Sequence, residues 1–186
     1  MRIVAIIPAR GNSKRLYKKN IHPVWGNPMI YWAIKACKES KHSIEPWVST
    51  ESEEIADISR EFGAKIHPRP IELSGDNVFK QEVIRNAAKF ICDNSDALPT
   101  IFISLQANSP QIKFSHLDSA IDVFEKYKRD EIFSVDSNFM QNAAFRIFRG
   151  DYVFQKDLST NCGIFVCDLY DIHTSEDVFL VENMKG

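Results

Sequence analysis

The chain has 186 residues, of which 44% are hydrophobic and 26% are charged, and its formal net charge is −2. These values are ordinary for a globular protein, and no apolar run approaches the roughly 18 residues that a membrane-spanning helix needs. The four cysteines have neither the paired spacing of a metal site nor the density of a disulfide scaffold. The composition therefore predicts a single domain over residues 1–186, located in the cytoplasm and without a membrane segment.

Positive charge is concentrated near the start of the chain. Residues 1–50 contain nine Lys and Arg against two Asp and Glu, whereas the remainder contains fourteen against twenty-three. A protein that binds nucleic acid usually presents an extended basic face. One short basic segment in a mildly acidic chain instead predicts a small polyanionic ligand and no nucleic-acid partner.

Apolar runs and helical periodicities alternate along the chain. Ile3 to Ile7 is a continuous apolar run, which is typical of a strand covered on both faces. A helix with one apolar face is predicted from Pro28 to about Lys38, because Pro28 suits the first turn of a helix. The same reasoning predicts later strands at residues 46–49, 64–67, 100–105, 131–135, 145–148 and 163–167, with helices over about 50–62, 83–91 and 115–124 and from about 174.

Three of the predicted helices carry capping patterns. Thr50 with Glu53 gives a capping box for the second helix, Ser115 is expected to cap the fourth, and Thr174 starts the last. Strands and helices that alternate at these spacings predict an α/β fold, in which a Rossmann-like, mostly parallel sheet has helices on both faces. In such sheets ligands bind beyond the carboxyl ends of the strands. The loops after the first, second and fourth strands are therefore expected to surround one crevice.

The strongest local signal is a basic loop directly after the first strand. A triphosphate site needs a backbone that approaches the phosphate oxygens closely and cations that neutralise charge on the leaving pyrophosphate. Neither the Walker pattern nor GxGxxG is present. From charge alone a solvated loop is the alternative, but the position after a buried strand favours a phosphate site. The loop holds a Gly11-Asn12-Ser13 turn and, between positions 10 and 19, no acid and five cations: Arg10, Lys14, Arg15, Lys18 and Lys19.

This loop also carries a resemblance to a known family. The segment Ile7-Pro8-Ala9-Arg10-Gly11-Asn12-Ser13-Lys14-Arg15, with Lys18-Lys19-Asn20, resembles the signature of the acylneuraminate cytidylyltransferases, the CMP-sialic acid synthetases. The similarity continues through residues 26–30, 48–56, 62–64 and 69–76 and covers most of the first 110 residues. It implies a fold of the nucleotide-diphospho-sugar transferase type and a single nucleotidyltransferase domain.

The resemblance also implies an activity. CMP would pass from CTP to the anomeric hydroxyl of a sialic-acid-like 2-keto sugar acid, with release of pyrophosphate and with Mg²⁺, or alternatively Mn²⁺, as the cofactor. Such a transfer is an in-line displacement at phosphorus, in which placement and charge neutralisation do most of the work. CTP and the sugar acid are thus the expected partners, in the biosynthesis of cell-surface polysaccharide.

The roles of individual residues are likewise implied by the resemblance. Gln106 and Ser109 would bind the sugar acid, and Asp171 and His173 would hold the metal. Arg10, Lys19 and Asp171 form the expected catalytic set. The expected nucleotide-binding residues are Ala9, Arg10, Gly11, Asn12, Ser13, Lys14, Lys19, Asn20, Arg69 and Asp76.

Two motifs depart from the family pattern. The family's Leu-Gln-Pro-Thr-Ser-Pro-Leu-Arg is replaced by Leu-Gln-Ala-Asn-Ser-Pro-Gln-Ile, so Ile112 stands where the closing Arg is expected and Lys113 is the nearest substitute cation. The family's Asp-Ile-Asp-Thr is replaced by Asp-Ile-His-Thr. Because Mg²⁺ prefers oxygen ligands, His173 weakens the site, favours a softer metal, or leaves coordination to Asp171, phosphate and water. A capping box of Thr174 with the residue at 177 explains part of this motif without a metal.

The region around residues 136–162 is short where the family usually inserts a dimerisation and sugar-lid segment. Its length leaves the oligomeric state open, with a homodimer as one alternative, and also leaves the sugar open. For 3-deoxy-manno-octulosonate, the enzymes usually carry an acid in the loop where this chain has Gln106 to Ser109. A non-catalytic nucleotide-binding relative is favoured by Ile112 and His173 and opposed by the intact basic loop.

Overall fold

The central sheet of the protein contains seven strands, and the computed structural model describes residues 1–184. The strands of the chain are β1 (Ile3–Pro8), β2 (Pro23–Val24), β3 (Asn27–Pro28), β4 (Glu45–Thr50), β5 (Lys65–Pro68), β6 (Ile101–Leu105), β7 (Glu131–Val135), β8 (Gln141–Arg149) and β9 (Cys162–Val166). The helices are α1 (Met29–Glu39), α2 (Glu53–Glu61), α3 (Lys80–Asp93), α4 (Phe114–Lys126) and α5 (Ser175–Asn183). None of these helices is both long enough and apolar enough to cross a membrane.

The sheet is mostly parallel. Its strand order is β5-β4-β1-β6-β8-β7-β9, and the short strands β2 and β3 form a separate hairpin. β8 runs antiparallel to both β6 and β7, while the other neighbours pair in parallel. The carboxyl ends of β1, β4 and β6 consequently open at one edge, as the sequence predicted.

Side chains of β1 alternate between two hydrophobic layers. Ile3, Ala5 and Ile7 face the layer formed with α1, α2 and α4, whereas Val4 and Ile6 face the layer formed with α3. All five side chains are at most 1% exposed. A strand covered on both faces must be apolar throughout, which explains the continuous run in the sequence. The predicted α/β class with helices on both faces is confirmed.

Two of the predicted helix caps are wrong. The hydroxyl of Ser52 caps α2 by accepting the N–H of Ile55 at 3.4 Å, while Thr50 is still paired within β4. Lys113 is the residue before α4, so Ser115 lies inside its first turn. Several polar residues precede each helix, and strand pairing together with packing decides which of them becomes the cap.

The capping box at the start of α5 is confirmed. The Thr174 hydroxyl accepts the N–H of Asp177 at 3.3 Å, and the Asp177 carboxylate accepts the N–H of Thr174 at 2.9 Å. The same carboxylate accepts the N–H of His173 at 2.8 Å. Asp177 therefore holds the segment that precedes the helix, and its side chain serves as a structural group in the altered C-terminal motif.

Residues 136–162 contribute to the central sheet. They contain β8, which inserts between β6 and β7, and a short 3-10 helix at Tyr152–Phe154. A nine-residue strand within the sheet thus occupies the middle of the segment in which the sequence predicted a shortened dimerisation and sugar-lid region. A role in a homodimer stays a prediction.

A buried acid stabilises this half of the sheet, and its removal is expected to weaken the fold. Glu131 is fully buried, accepts hydrogen bonds from Arg146 and accepts the N–H of Ser159 at 2.7 Å. Glu131→Ala leaves both donors without their acceptor, so we expect the free energy of unfolding to fall by about 3 kcal/mol. Urea denaturation measures this, with the exposed Glu125→Ala as the control. Equal stabilities for the two variants would contradict this role.

Candidate active site

A cleft of about 290 Å³ opens at the carboxyl ends of β1, β4 and β6. The loop after β1, the segment between β5 and α3, and the loop after β6 form its walls. An adjoining basic cavity of about 420 Å³ shares four of these residues, and its other residues are Lys14, Arg15, Leu16 and His173. The cleft is lined by Pro8, Arg10, Ser13, Lys19, Asn20, Arg69, Leu73, Ser74, Gly75, Asp76, Val78, Lys80, Val83, Gln106 and Asn108.

One apolar side chain of the basic loop packs against the C-terminal segment of the chain. Leu16 is buried in a small hydrophobic cluster with Ile172 and Val178 at the start of α5. The amide of Asn20, itself buried, donates to the carbonyl of Arg10 at 2.8 Å and so ties the two ends of the loop together. A loop with many like charges is therefore fixed against the C-terminal segment by packing rather than by its own charges.

The cations at the front of the loop are paired with one acid. Arg10 Nη1 lies 2.7 Å from Asp76 Oδ1, and Lys14 Nζ lies 2.5 Å from Asp76 Oδ2. Both hydrogen bonds lower the pKa of Asp76. Exposed pairs of this kind are weak and exchangeable. An anionic ligand that entered the cleft could therefore take over Arg10 and Lys14 from Asp76 at little cost.

Gly11 lies where the basic loop crosses the start of α2. Its N–H donates to Glu51 Oε1 at 2.7 Å, and a Cβ at this position would come within 2.9 Å of the Cβ of Ser52. Real Cβ atoms almost never approach so closely. The loop after β4 thus supports the basic loop from outside the cleft, and the prediction that this loop also surrounds the crevice is wrong, since neither Glu51 nor Ser52 lines it.

Gly11→Ala is expected to displace the basic loop and to weaken CTP binding about 10-fold, since overpacking of this kind costs roughly 1–3 kcal/mol. Adding Ser52→Gly removes the opposing Cβ, and glycine at a helix N-cap costs only a few tenths of a kcal/mol. The double variant should therefore regain most of the affinity. Isothermal titration calorimetry measures both, and a double variant as weak as Gly11→Ala would refute the steric explanation.

Hydrogen bonds join the loop after β6 to the segment that precedes α5. The Ile172 N–H donates to the Asn108 carbonyl at 2.8 Å, and the Asn108 amide donates to the Ile172 carbonyl at 3.1 Å. The hydroxyl of Ser109 donates to Asp171 Oδ1. This two-way clamp brings Asp171 from the C-terminal motif to the loop that follows β6, although Asp171 is not itself among the residues that line the cleft or the basic cavity.

Ionisable groups in this region have shifted pKa values. Desolvation, followed by the charges of Arg15 and Arg10, lowers the pKa of Lys19. Desolvation also lowers the pKa of His173. It raises the pKa of Asp171, and this shift is opposed by the hydrogen bond from Ser109 and by the nearby positive charges. Each shift disfavours the charged form, so the charges of Lys19 and Asp171 cost stability at neutral pH. Groups that are retained at such a cost in a cleft indicate a functional site.

Most of the predicted site residues come together here. Arg10, Ser13, Lys19, Asn20, Arg69, Asp76 and Gln106 line the cleft, while Lys14 and His173 line the basic cavity. Ala9 is buried, and its N–H donates to the Ser49 carbonyl at 3.0 Å. Asn12 is exposed, and Ser109 is buried against Asp171.

Arg69 is fixed more tightly than a surface arginine. It is 7% exposed, and its guanidinium donates to the hydroxyl of Ser49 at 3.2 Å and to the carbonyl of the same residue. Its Nη1 is 4.0 Å from Glu51 Oε2. The side chain therefore stands as a rigid wall of the cleft, with its position set by β4 and by the loop that follows.

Sequence reasoning missed Lys80 and Asn108, which both line the cleft. Lys80 is the first residue of α3, where a cation opposes the positive end of the helix dipole. This local conflict is the signal that could have identified it. Asn108 stands in the altered motif after β6, where the family resemblance assigned the sugar acid to its neighbours Gln106 and Ser109.

Few donor groups near Lys19 suit a magnesium ion. Within residues 1–184, no group of three or more His, Cys, Asp and Glu side chains is arranged to hold a metal. Asp171 contributes one carboxylate, and His173 Nδ1 lies 3.4 Å from the guanidinium of Arg15. One carboxylate fits a Mg²⁺ ion that keeps several waters and takes its other ligands from substrate phosphates. Asp171 therefore fits such an ion, and the imidazole of His173 fits it less well.

The sequence of the chain matches a family model described as "Cytidylyltransferase" over residues 4–161. The chain belongs to the cytidylyltransferase family. The match extends from β1 to the residue before β9 and includes the basic loop, the cleft and β8. Family membership thus covers the whole central sheet except its last strand.

Individual members of the family are also similar. N-acylneuraminate cytidylyltransferase A of Danio rerio is 36% identical over 133 residues, which are 72% of this chain and 30% of that protein. N-acylneuraminate cytidylyltransferase of Escherichia coli O18:K1:H7 is 32% identical over 130 residues, 68% of this chain and 30% of the relative. The chain thus spans about 30% of the length of these curated relatives.

Solved structures confirm the fold at the level of the whole chain. A CMP:2-keto-3-deoxy-manno-octonic acid synthetase complexed with CTP has a TM-score of 0.78 and 16% sequence identity to this chain. The alignment covers 98% of this chain and 97% of that structure. At 16% sequence identity, the similarity establishes the fold alone.

Proposed function

We infer that the protein transfers CMP from CTP to the anomeric hydroxyl of a sialic-acid-like 2-keto sugar acid and releases pyrophosphate. The observation that carries this proposal is the cleft lined by cations of the basic loop, with Asp171 of the C-terminal motif close enough to Lys19 to affect its pKa. Family membership and relatives named N-acylneuraminate cytidylyltransferase support CTP and this acceptor.

The reaction forms one bond and breaks one at the α-phosphorus of CTP. The anomeric hydroxyl oxygen attacks phosphorus and loses its proton to solvent, while the bond to the bridging oxygen breaks and pyrophosphate departs with the electron pair. Negative charge grows on the departing pyrophosphate. Arg10, Lys14 and Lys19 can neutralise that charge from the basic loop, and Ser13 can donate a hydrogen bond to a phosphate oxygen.

Asp171 is the residue that would hold Mg²⁺. When bound, the ion would neutralise charge on phosphate oxygens and align them for in-line attack. The Ser109 hydroxyl orients the Asp171 carboxylate, and the carboxylate is ionised more readily when a cation is close. Lys19 stands near enough to Asp171 for their charges to affect each other, so the metal and the triphosphate would share one electrostatic site.

Pyrophosphate release tests the proposal directly. Each of the four nucleoside triphosphates is offered with Mg²⁺ or Mn²⁺ and with a panel of 2-keto sugar acids. We expect release with CTP and with a sialic-acid-like acceptor. CTP binding without release across the panel would overturn the proposal in favour of a non-catalytic relative.

A second acceptor is 3-deoxy-manno-octulosonate. The fold shared with the CMP:2-keto-3-deoxy-manno-octonic acid synthetase brings this sugar into the panel. The loop after β6 carries amides and hydroxyls at Gln106, Asn108 and Ser109 and no acid, and the sequence relatives are named for acylneuraminates. Sialic-acid-like acceptors are therefore proposed first.

The cellular setting is proposed on the same basis. The four cysteines are free, and burial raises the pKa of the Cys167 thiol to about 11, so this thiol is unreactive at neutral pH. A reducing compartment, the cytoplasm, suits such a protein. The product of the proposed reaction is a sugar acid activated by CMP, which would serve the biosynthesis of cell-surface polysaccharide.

A further inference from the structure

One part of the cleft lies outside the basic cavity, whose cations are expected to bind the triphosphate. The cleft and the basic cavity share Arg10, Ser13, Lys19 and Asp76, and the basic cavity continues from there toward the remaining cations of the loop. Outside the shared part, the cleft is lined by residues that include Lys80 and, from the loop after β6, Gln106 and Asn108. The triphosphate and the acceptor can thus occupy different ends of one continuous space.

A 2-keto sugar acid brings a carboxylate directly attached to its anomeric carbon. The attacking hydroxyl is on the same carbon, so the carboxylate must lie close to the site of transfer. A carboxylate in a partly desolvated cleft needs a cation or several hydrogen-bond donors. The acceptor end should therefore contain a positive charge.

Other cations of the chain are not available for this role. Ile112 is 4% exposed, and Lys113 lines a separate groove with Trp25, so neither reaches the cleft. The guanidinium of Arg146 is bonded to the buried Glu131. Lys156 is exposed and is not among the residues that line the cleft. The substitution of Lys113 for the missing arginine is thus not supported.

Two cations, Arg69 and Lys80, line the cleft outside the basic cavity, and Arg69 is buried with its guanidinium bonded to Ser49, so Lys80 is the one left for the acceptor. It lies in the cleft with Gln106 and Asn108, and none of the ion pairs formed within residues 1–184 includes it. Lys80 is an exposed residue, yet desolvation lowers its pKa, with Asp171 opposing this shift and Arg146 adding to it. Its charge is therefore close to Asp171 and is not neutralised by a paired acid.

We propose that Lys80 binds the carboxylate of the 2-keto sugar acid and thereby makes the enzyme specific for acidic sugars. The assignment rests on the proposed function. Lys80 lines the cleft with Gln106, the residue expected to bind the sugar acid, and is absent from the basic cavity, whose cations are expected to face the leaving pyrophosphate. An incoming carboxylate would pair with the ammonium and offset its desolvation.

The test compares Lys80→Met with Lys80→Arg and with Lys113→Met, which removes the same charge from the separate groove. With the sugar acid that gives the fastest pyrophosphate release, Lys80→Met should raise KM for the acid about 10- to 100-fold. The dissociation constant for CTP, measured by calorimetry, should stay within about 2-fold and also shows that the variant is folded. Lys80→Arg should retain part of the acid affinity, and Lys113→Met should match the wild type.

A second readout uses the methyl ester of the same acid, which lacks the negative charge. The wild type should prefer the acid to the ester, and Lys80→Met should lose most of that preference because only the acid contacts the ammonium. An unchanged KM, or a loss of CTP affinity as large as the loss of acid affinity, would overturn the assignment. Absence of release by the wild type with every acid is a separate result, which would overturn the proposed function and this assignment with it.

Discussion

Replacing Lys19 with alanine is expected to raise the dissociation constant for CTP about 10- to 100-fold. Lys19 lines both the cleft and the basic cavity, so its ammonium is available to the phosphates from either side. A hydrogen bond between charged groups contributes roughly 1.5–3 kcal/mol, which corresponds to the stated range. Calorimetric titration of CTP without an added sugar acid measures the change.

Lys18→Ala provides the matched control for Lys19→Ala. Lys18 is the neighbouring residue, but its ammonium is paired with Glu54 at 2.5 Å and lines neither cavity. We expect its CTP affinity to stay within about 2-fold of the wild type. Desolvation lowers the pKa of Lys19, so its charge costs stability at neutral pH and its removal should not lower the free energy of unfolding. Unchanged CTP affinity in Lys19→Ala would refute the phosphate-site assignment.

Asp171→Asn is expected to reduce kcat by about 100-fold or more, since a lost metal ligand removes several kcal/mol of charge stabilisation from the transition state. The amide oxygen can still accept from Ser109, so the local structure should be kept. Desolvation raises the pKa of the Asp171 carboxyl, which means that its ionised form costs stability above that pKa. Thermal unfolding at neutral pH should therefore show an equal or higher Tm, while the pyrophosphate assay shows the loss.

His173→Asp is the complementary variant, because it places the second acid of the family motif. It should lower the Mg²⁺ concentration that gives half-maximal pyrophosphate release, since an added carboxylate suits this ion. Glu176→Gln, an exposed change on α5, is the control and should leave the Mg²⁺ dependence unaltered. Full activity in Asp171→Asn at every Mg²⁺ concentration would contradict the metal role of Asp171.

Much of the cleft was predictable because its residues lie close together in the sequence. Arg10, Ser13, Lys19 and Asn20 belong to one loop that directly follows a buried strand, and the rule for ligands at the carboxyl ends of parallel strands places that loop at the crevice. The carboxylate of Asp171 was predictable only through a motif, since no local pattern links it to a loop more than 150 positions earlier.

Other features depended on contacts that the sequence does not encode locally. The cap of α2 is Ser52 rather than Thr50, because Thr50 is still paired with β5. Lys113 follows the missing arginine by one position, yet the turn into α4 directs it to a separate groove. A shift of one residue at the start of a helix changes which side of the chain a side chain occupies.

The sequence by itself determined the alternation of strands and helices, the two-faced burial of β1 and the charge of the basic loop, since these follow from periodicity and composition. Only the tertiary structure decided which distant groups share the cleft. Packing of Leu16 on Ile172 and the clamp at Asn108 bring Asp171 to Lys19, and the start of α3 brings Lys80 to the acceptor end. The physical reason is that these approaches come from long-range packing and hydrogen bonds, whose partners have no fixed separation along the chain.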